Sequence, residues 1–506
     1  MGLTAFSFVL LPLCVVWAMS PGRLLKVMIV ASVFEAAAVF TFGSFGVQPG
    51  LVPALAFIAY MLLQLLLGAS FSGIPAVWAL TRPFVVMTAW AVFASVVMPR
   101  AFEGQVFVWP QRATLPYVIV PLEPSPTAIN QSIYLVLNCL FVVLSATYLS
   151  RKHLSLGSFI RVYLLSGFVV AAVSAWQFIS RFTGIPYPED LFYSNPGWAI
   201  LTEQTIGGMP RINGPFSEPS SLGGYMASIV CAAGWMLLQG RRDRMLPWLL
   251  AAGLLTIALS TSTTGFAVLA VVSVLVPLVA LLRGSTRLLA QIMKIAMPVA
   301  LCGTILFSTA SLLLPSFEKT VSDVIDGTLN KKQSASYEDR TGTDLDSITA
   351  MVDTYGLGVG WGSNRSSSLL PGLLAQVGLP GVICLAWFGL GLTRQVAAAH
   401  RSGCTAEQSL VLDGCCGGLV GFLLGALISA PTINSITFFF LLALLIACST
   451  RVQQDAQAVR HRSTGQPVVA VRVLHFNRLP GAELDRPELD RPELSRAKLD
   501  RTEPNQ

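Results

Sequence analysis

The sequence predicts an all-α polytopic membrane protein, and three observations carry that prediction. Of 506 residues, 54% are apolar and only 12% are charged, about half the charge of a soluble domain. Mean hydropathy is +0.66. Apolar runs of 16 to 22 residues recur along most of the chain, and a helix needs about 20 residues to cross roughly 30 Å of hydrocarbon. A soluble enzyme, a secreted domain and a single-span receptor are excluded. So is an outer-membrane barrel, whose strands alternate in units of about 10 residues.

The apolar runs place spans near 3–19, 25–44, 51–69, 84–99, 128–149, 162–180, 221–239, 246–260, 264–282, 295–314, 368–393, 411–430 and 433–449, thirteen in all. Charge sets their direction. One set of alternate connections carries 14 basic residues, among them Arg23, Lys26, Arg82, Arg151, Arg241, Arg287 and Arg394, against three acids. These short loops are expected in the cytoplasm. The opposite set contains the long connections 100–127, 181–220 and 315–367, with nine basic and fourteen acidic residues. Thirteen spans then put the N-terminus outside and the C-terminus in the cytoplasm. The net charge of +7 is accounted for by this asymmetry, without nucleic acid as a partner.

Two regions follow: a transmembrane domain over 1–450 and a cytoplasmic tail over 451–506. Within the tail, 483–502 repeats a five-residue unit, ELDRP-ELDRP-ELSRA-KLDRT, with too little apolar content for a core. Eight of nine cysteines lie in apolar runs, with no CxxC pair and no Cys/His cluster of zinc spacing, so neither a disulfide framework nor a metal centre is expected. No Lys or Arg precedes the first apolar run, which argues against a cleaved signal peptide.

Candidate chemistry sits in a few places. Glu35, inside the second predicted span, is a functional candidate because an acid in hydrocarbon is costly; a carboxyl paired with another helix is the structural alternative. Loop 181–220 ends in Pro-Arg211-Ile-Asn213-Gly-Pro-Phe-Ser217-Glu218-Pro, an arginine and a glutamate held by turn formers just before a span. In 315–367, the apolar spacing of Phe317, Val321, Val324, Ile325 and Leu329 predicts an amphipathic helix. A second helix is expected to start near Thr343, with Leu345, Ile348, Val352 and Tyr355 on one face. The run Gly356-Leu-Gly358-Val-Gly360-Trp-Gly362 is a candidate cradle, since glycine lets backbone N–H groups approach a ligand. The hydroxyl cluster Ser260–Gly265 suits sugar or phosphate oxygens, or the capping of helix ends.

These motifs together resemble the O-antigen polymerase and ligase superfamily of Wzy-type polysaccharide polymerases, and within it the exopolysaccharide polymerases. The resemblance rests on Arg-x-x-Gly-x-Phe-x-Glu-Pro at 211–219, the Ser/Thr turn at 260–265, and a late loop with Arg340 that closes in Gly-x-Gly-x-Gly. It covers about 160–450. It implies a GT-C-like glycosyltransferase of the bacterial inner membrane, acting on undecaprenyl-diphosphate-linked oligosaccharide as donor and acceptor at the periplasmic face. A chain-length regulator and a flippase are implied partners, and no cofactor is implied. By the resemblance Arg211 and Arg340 hold the lipid diphosphate, because guanidinium binds phosphate in a bidentate fork and keeps its proton. Asn213, Ser217, Gly358 and Gly360 are the further substrate-binding candidates, and metal-independent catalysis is expected.

The ligases of this superfamily resemble one another in an outer-loop histidine. Here His153, His400, His461 and His475 all fall in segments expected in the cytoplasm. A carboxylate is left as the catalytic base, Glu218 first and Asp339 second, and the reading moves from ligase toward polymerase. The alternatives are ligase-type transfer to an acceptor, a flippase or exporter of the lipid-linked unit, and a transferase using a polyprenyl-monophosphate donor. The last requires an acidic motif in the first large outer loop, where only Glu103 and Glu123 stand.

Overall fold

The computed structural model describes residues 2–43, 45–111, 118–206, 209–313, 317–329, 335–430 and 432–463; the repeat in the tail lies outside them. The chain opens with β1 (Gly2–Leu3), α1 (Ala5–Val16), α2 (Pro21–Ala31) and the hairpin β2 (Phe40–Phe42) and β3 (Phe45–Val47). Helices α3 (Leu51–Leu66), α4 (Ile74–Ala101), α5 (Pro126–Leu149) and α6 (Leu156–Thr183) follow, with β4 (Phe107–Val108) and β5 (Val120–Pro121) between α4 and α5. The next connection holds α7 (Glu189–Phe192), β6 (Thr205–Ile206) and β7 (Met209–Pro210). Then come α8 (Pro219–Leu238), α9 (Met245–Ser260), α10 (Thr263–Leu282) and α11 (Thr286–Leu313). Helices α12 (Phe317–Leu329) and α13 (Ala335–Asp353) fill the late loop, and α14 (Leu369–Arg401), α15 (Ala406–Ser429) and α16 (Ile436–Ser463) complete the order.

The protein is mostly helical. Among the described residues, nine helices are long and apolar enough to cross a membrane: α4, α5, α6, α8, α10, α11, α14, α15 and α16. The other four predicted spans form shorter helices. α1, α2, α3 and α9 have 12, 11, 16 and 16 residues, or about 16–24 Å at 1.5 Å per residue. The centre is packed around α8 and α15. Gly417 and Gly421 let α15 close onto the α8 backbone, where an added Cβ would meet Ala232 Cα at 2.8 Å and Ala227 O at 2.9 Å; small residues allow this close approach between spans. At one end of the bundle the basic connections are tied together. Arg241 pairs with Asp413 and Lys152 with Asp455, each at 2.7 Å. Arg451 donates to the carbonyls of Leu149, Arg151 and Leu154 beyond the end of α5. The long loops occupy the other end.

The second predicted span needs the largest correction. Instead of one helix over 25–44, α2 stops at Ala31, an irregular segment runs through 32–39, and 40–47 form a hairpin that pairs Phe40 with Val47 and, on its other side, with Leu3. The apolar run is satisfied by protein: Ala36, Ala37, Ala38 and Val39 are fully buried. Its backbone groups find partners outside the segment. Ala36 N donates to Pro215 O (3.3 Å), Asn195 N to Ala36 O (3.1 Å), Ala38 N to Ser194 Oγ (3.0 Å) and Val39 N to Val47 O (2.8 Å). The hydroxyls of Thr4 and Ser7 donate to Ala38 O and Val39 O. Irregular backbone at membrane depth persists only where protein satisfies it in this way.

A second break lies inside α14. Gly378 takes φ 59°, ψ −168°, and Pro380 has no N–H to continue the ladder. The carbonyls freed at the break are taken up by neighbours. Val359 N donates to Ala375 O (2.7 Å), Gly360 N to Gln376 O (3.1 Å) and the Trp90 indole to Val377 O (2.8 Å), while Leu379 N donates to Gly356 O (2.8 Å).

The late loop departs from expectation in one respect. Helix α12 spans 317–329 as its spacing predicts. Helix α13, however, begins at Ala335, so Thr343 lies within it, its hydroxyl donating back to Arg340 O (3.0 Å). The N-terminus that an acid caps is that of α14: Asp344 Oδ1 accepts from Ser367 N (2.7 Å) and Ser368 N (3.1 Å).

Candidate functional site

Arg211 is placed by a short hairpin. Strands β6 and β7 pair Thr205 with Pro210 and Ile206 with Met209, which sets Arg211 opposite Gln204. Its backbone N donates to Gln204 O (2.9 Å), and its Nη1 to Gln204 Oε1 (2.8 Å). Nη2 reaches Thr261 O at 3.5 Å. That carbonyl is offered by a non-glycine residue in the left-handed region, φ 46°, a conformation rare for β-branched residues. The Nε of Arg211 is buried and has no hydrogen-bond partner.

The rest of the loop is held rigidly from below. Gln177, a buried amide on α6, accepts from Asn213 N (3.0 Å) and Gly214 N (2.8 Å) and donates to Tyr193 Oη (2.8 Å). Tyr187 and Tyr193 both donate to Gly214 O, at 3.0 and 2.9 Å. Asn213 Nδ2 donates to the carbonyls of Leu201 (2.9 Å) and Ser217 (3.1 Å). Asn213 and Ser217 are both buried, so their visible part is closing the loop around itself.

Glu218 occupies the N-cap of α8, where the helix dipole favours an acid, and its Oε1 accepts from Ser220 Oγ. It acts on Arg211 through its field. Burial lowers the Arg211 pKa, Glu218 raises it, and the Arg340 charge lowers it again. The charge of Arg340, carried on α13 and 129 positions away in sequence, thus reaches Arg211. Asp339, one residue earlier, is exposed.

The break after α2 delivers the Glu35 side chain to a cleft shared with Phe34, Gln48, Phe216, Tyr225, Asn434 and Ser435.

The glycine run does something other than expected. Gly356 N donates to Met351 O (2.9 Å), Gly358 N to Thr354 Oγ1 (3.0 Å), Gly360 N to Gln376 O (3.1 Å) and Gly362 N to Gln376 Oε1 (3.0 Å). All four donors are used within the protein. A Cβ on Gly358 would meet Gly378 N at 2.7 Å, and one on Gly360 would meet Ala94 O at 2.7 Å. Gly358 and Gly360 thus let a strap pass between α4 and the break in α14. The hydroxyl cluster mainly serves helix ends. Ser262 Oγ accepts from Gly265 N (3.3 Å) at the start of α10, and Thr264 donates to Ser429 Oγ (2.8 Å). The carbonyl of Thr261 turns toward the arginine.

Sequence reasoning missed Gln204 and Gln177. Gln177 leaves a signal, an amide near the end of the apolar run 162–180; Gln204 leaves none. No protein-family model matches the chain, and a search of curated proteins finds no significant relative, so the site is read from its own geometry. Two guanidiniums near one carboxylate, with a buried N–H left over on Arg211, are donors of the kind that suit an anion. The fork geometry suits phosphate oxygens.

Proposed function

We propose that the protein is a glycosyltransferase that polymerises undecaprenyl-diphosphate-linked oligosaccharide repeat units at the periplasmic face of a bacterial inner membrane. The observation that carries the reading is the buried, unpartnered Nε of Arg211, on a guanidinium that the charges of both Glu218 and Arg340 reach. In this reading all thirteen helical segments belong to a GT-C-like architecture, with the long loops periplasmic and the tail cytoplasmic. The short α2 completes its crossing through the irregular segment 32–39.

The reaction has one demand that this site meets. An acceptor hydroxyl attacks C1 of the donor sugar. As the new C1–O bond forms, the old C1–O bond to phosphate breaks, its electron pair leaving with the lipid diphosphate. Inversion at C1 follows from the single displacement. The two guanidiniums neutralise the charge gathering on the leaving diphosphate, and each such donor contributes about 3–4 kcal/mol. Glu218, at the mouth of α8, takes the proton of the attacking hydroxyl. Asp339 is the second candidate for that role and stands just past the first turn of α13.

The test is the lipid-linked glycan pattern of a strain lacking the chain. Single repeat units on a gel support a polymerase. Full-length polymer beside an undecorated acceptor identifies a ligase instead, and accumulation of repeat units on the cytoplasmic face identifies a flippase.

A further inference from the structure

We propose that the cleft around Glu35 binds one monovalent cation of sodium's size, which joins the broken second apolar run to the starts of α3 and α16. The ion is structural. It has no part in the chemistry proposed above and does not depend on it.

Three stretches of chain, distant in sequence, build the cleft. The segment after α2 contributes Ser32 and Glu35, the approach to α3 contributes Gln48, and the approach to α16 contributes Asn434 and Ser435; Phe216 and Ile436 add apolar wall. The three are held together beside it. The hydroxyls of Ser32 and Thr437 meet at 2.6 Å, which ties the end of α2 to α16, and Gln48 Nε2 donates to the Glu35 carbonyl at 3.4 Å.

The polar groups of this wall are acceptors left without donors. Among the described residues no Lys, Arg or His lines the cleft, and the Glu35 carboxylate makes no ion pair and no hydrogen bond. Gln48 uses its Nε2 on the Glu35 carbonyl, and Asn434 uses its Nδ2 on Thr432 Oγ1 at 3.1 Å. Both amide oxygens remain free, as does Ser435 Oγ. The other hydroxyls of the wall are occupied. Ser32 Oγ is engaged with Ile29 O at 2.8 Å, and Tyr225 with Ser166 at 2.6 Å.

An acid with no counter-charge in such a wall is costly. Helix α2 ends at the cleft while α3 and α16 begin beside it, so one dipole favours a cation and the other two an ionised acid. Charge then selects the ion. One carboxylate and three neutral oxygens carry a single negative charge, which a monovalent cation cancels; a divalent ion leaves a net positive charge in a largely apolar wall. Oxygen donors without sulfur or imidazole suit a hard cation. Size agrees. The cleft has a volume of about 30 Å³, and one water needs about 10–15 Å³. A bare ion with one water fits, whereas magnesium, which keeps several waters, does not.

The test uses purified full-length protein in detergent with sodium chloride as the probe. It is read by equilibrium binding of radioactive sodium and by the thermal midpoint at constant ionic strength. We expect one sodium ion per chain, and a midpoint about 2 °C or more higher in sodium chloride than in choline chloride. Glu35→Gln removes the charge and keeps the shape; it should abolish sodium binding and make the midpoint indifferent to the cation. Asn434→Ala removes one neutral oxygen, leaves the charge, and should weaken binding at least about tenfold, which keeps the proposal testable should the Gln protein fail to fold. A native protein that binds no sodium, or a midpoint that sodium and choline raise alike, overturns the proposal. So does sodium binding that survives Glu35→Gln. Displacement of sodium by an equal concentration of calcium or magnesium overturns the monovalent assignment. Turnover of lipid-linked repeat units is not a readout, so the polymerase reading stands or falls separately.

Discussion

Arg211→Lys separates the charge at residue 211 from its geometry. Lysine keeps the positive charge but supplies a point donor in place of a planar fork. It loses the paired reach of Nη1 to Gln204 Oε1 at 2.8 Å and Nη2 to Thr261 O at 3.5 Å. The folded state loses these two hydrogen bonds, whereas the Nε removed is already buried without a partner; we expect a stability loss of about 1–2 kcal/mol. Transition-state stabilisation suffers more. Removal of one aligned donor to a developing negative charge costs about 3 kcal/mol, or about 10²-fold in rate. The assay is turnover of purified lipid-linked repeat unit by the native and Lys proteins, beside their thermal midpoints in detergent. Slow turnover with a midpoint only slightly lowered is the expected result. A Lys variant that retains turnover within threefold of native refutes the diphosphate clamp.

Further outcomes follow from the same geometry. Gly378→Ala forces a side chain into the left-handed region against Gly356 and Leu357, and thermal unfolding should show a loss of about 3 kcal/mol. Trp90→Phe strips the indole donor from Val377 O and should cost about 1–3 kcal/mol in the same measurement. Single cysteines introduced in 181–206 should be labelled from outside intact cells and one at Arg242 should not; labelling at Arg242 reverses the orientation and the proposed face of the reaction.

The contrast between Glu35 and the glycine run shows where sequence ran out. Residues 25–44 read as a span because every apolar pattern inside them is compatible with lipid. Burial of Ala36 to Val39 in protein satisfies the same pattern, and hydropathy does not distinguish lipid from a neighbouring helix. The alternating glycines read as a ligand cradle because they do expose backbone donors. Their partners, the carbonyls of a broken helix, lie across the fold, and Gly378 with Pro380 was the local mark of that break.

The sequence by itself determined the helical membrane architecture, the division of charge between two sets of loops, the amphipathic helix at 317–329, and the loop that holds Arg211 and Glu218. Each of these is a property of composition, of period, or of a few adjacent residues. Only the tertiary structure decided that the second apolar run breaks, that Gln177 and Gln204 hold the loop and its arginine, and that Glu35 lines a cleft with Gln48 and Asn434. Those outcomes depend on which distant backbone group satisfies which buried donor or acceptor. An orphaned polar group in an apolar interior is costly enough to choose the path of the chain over its local helical preference.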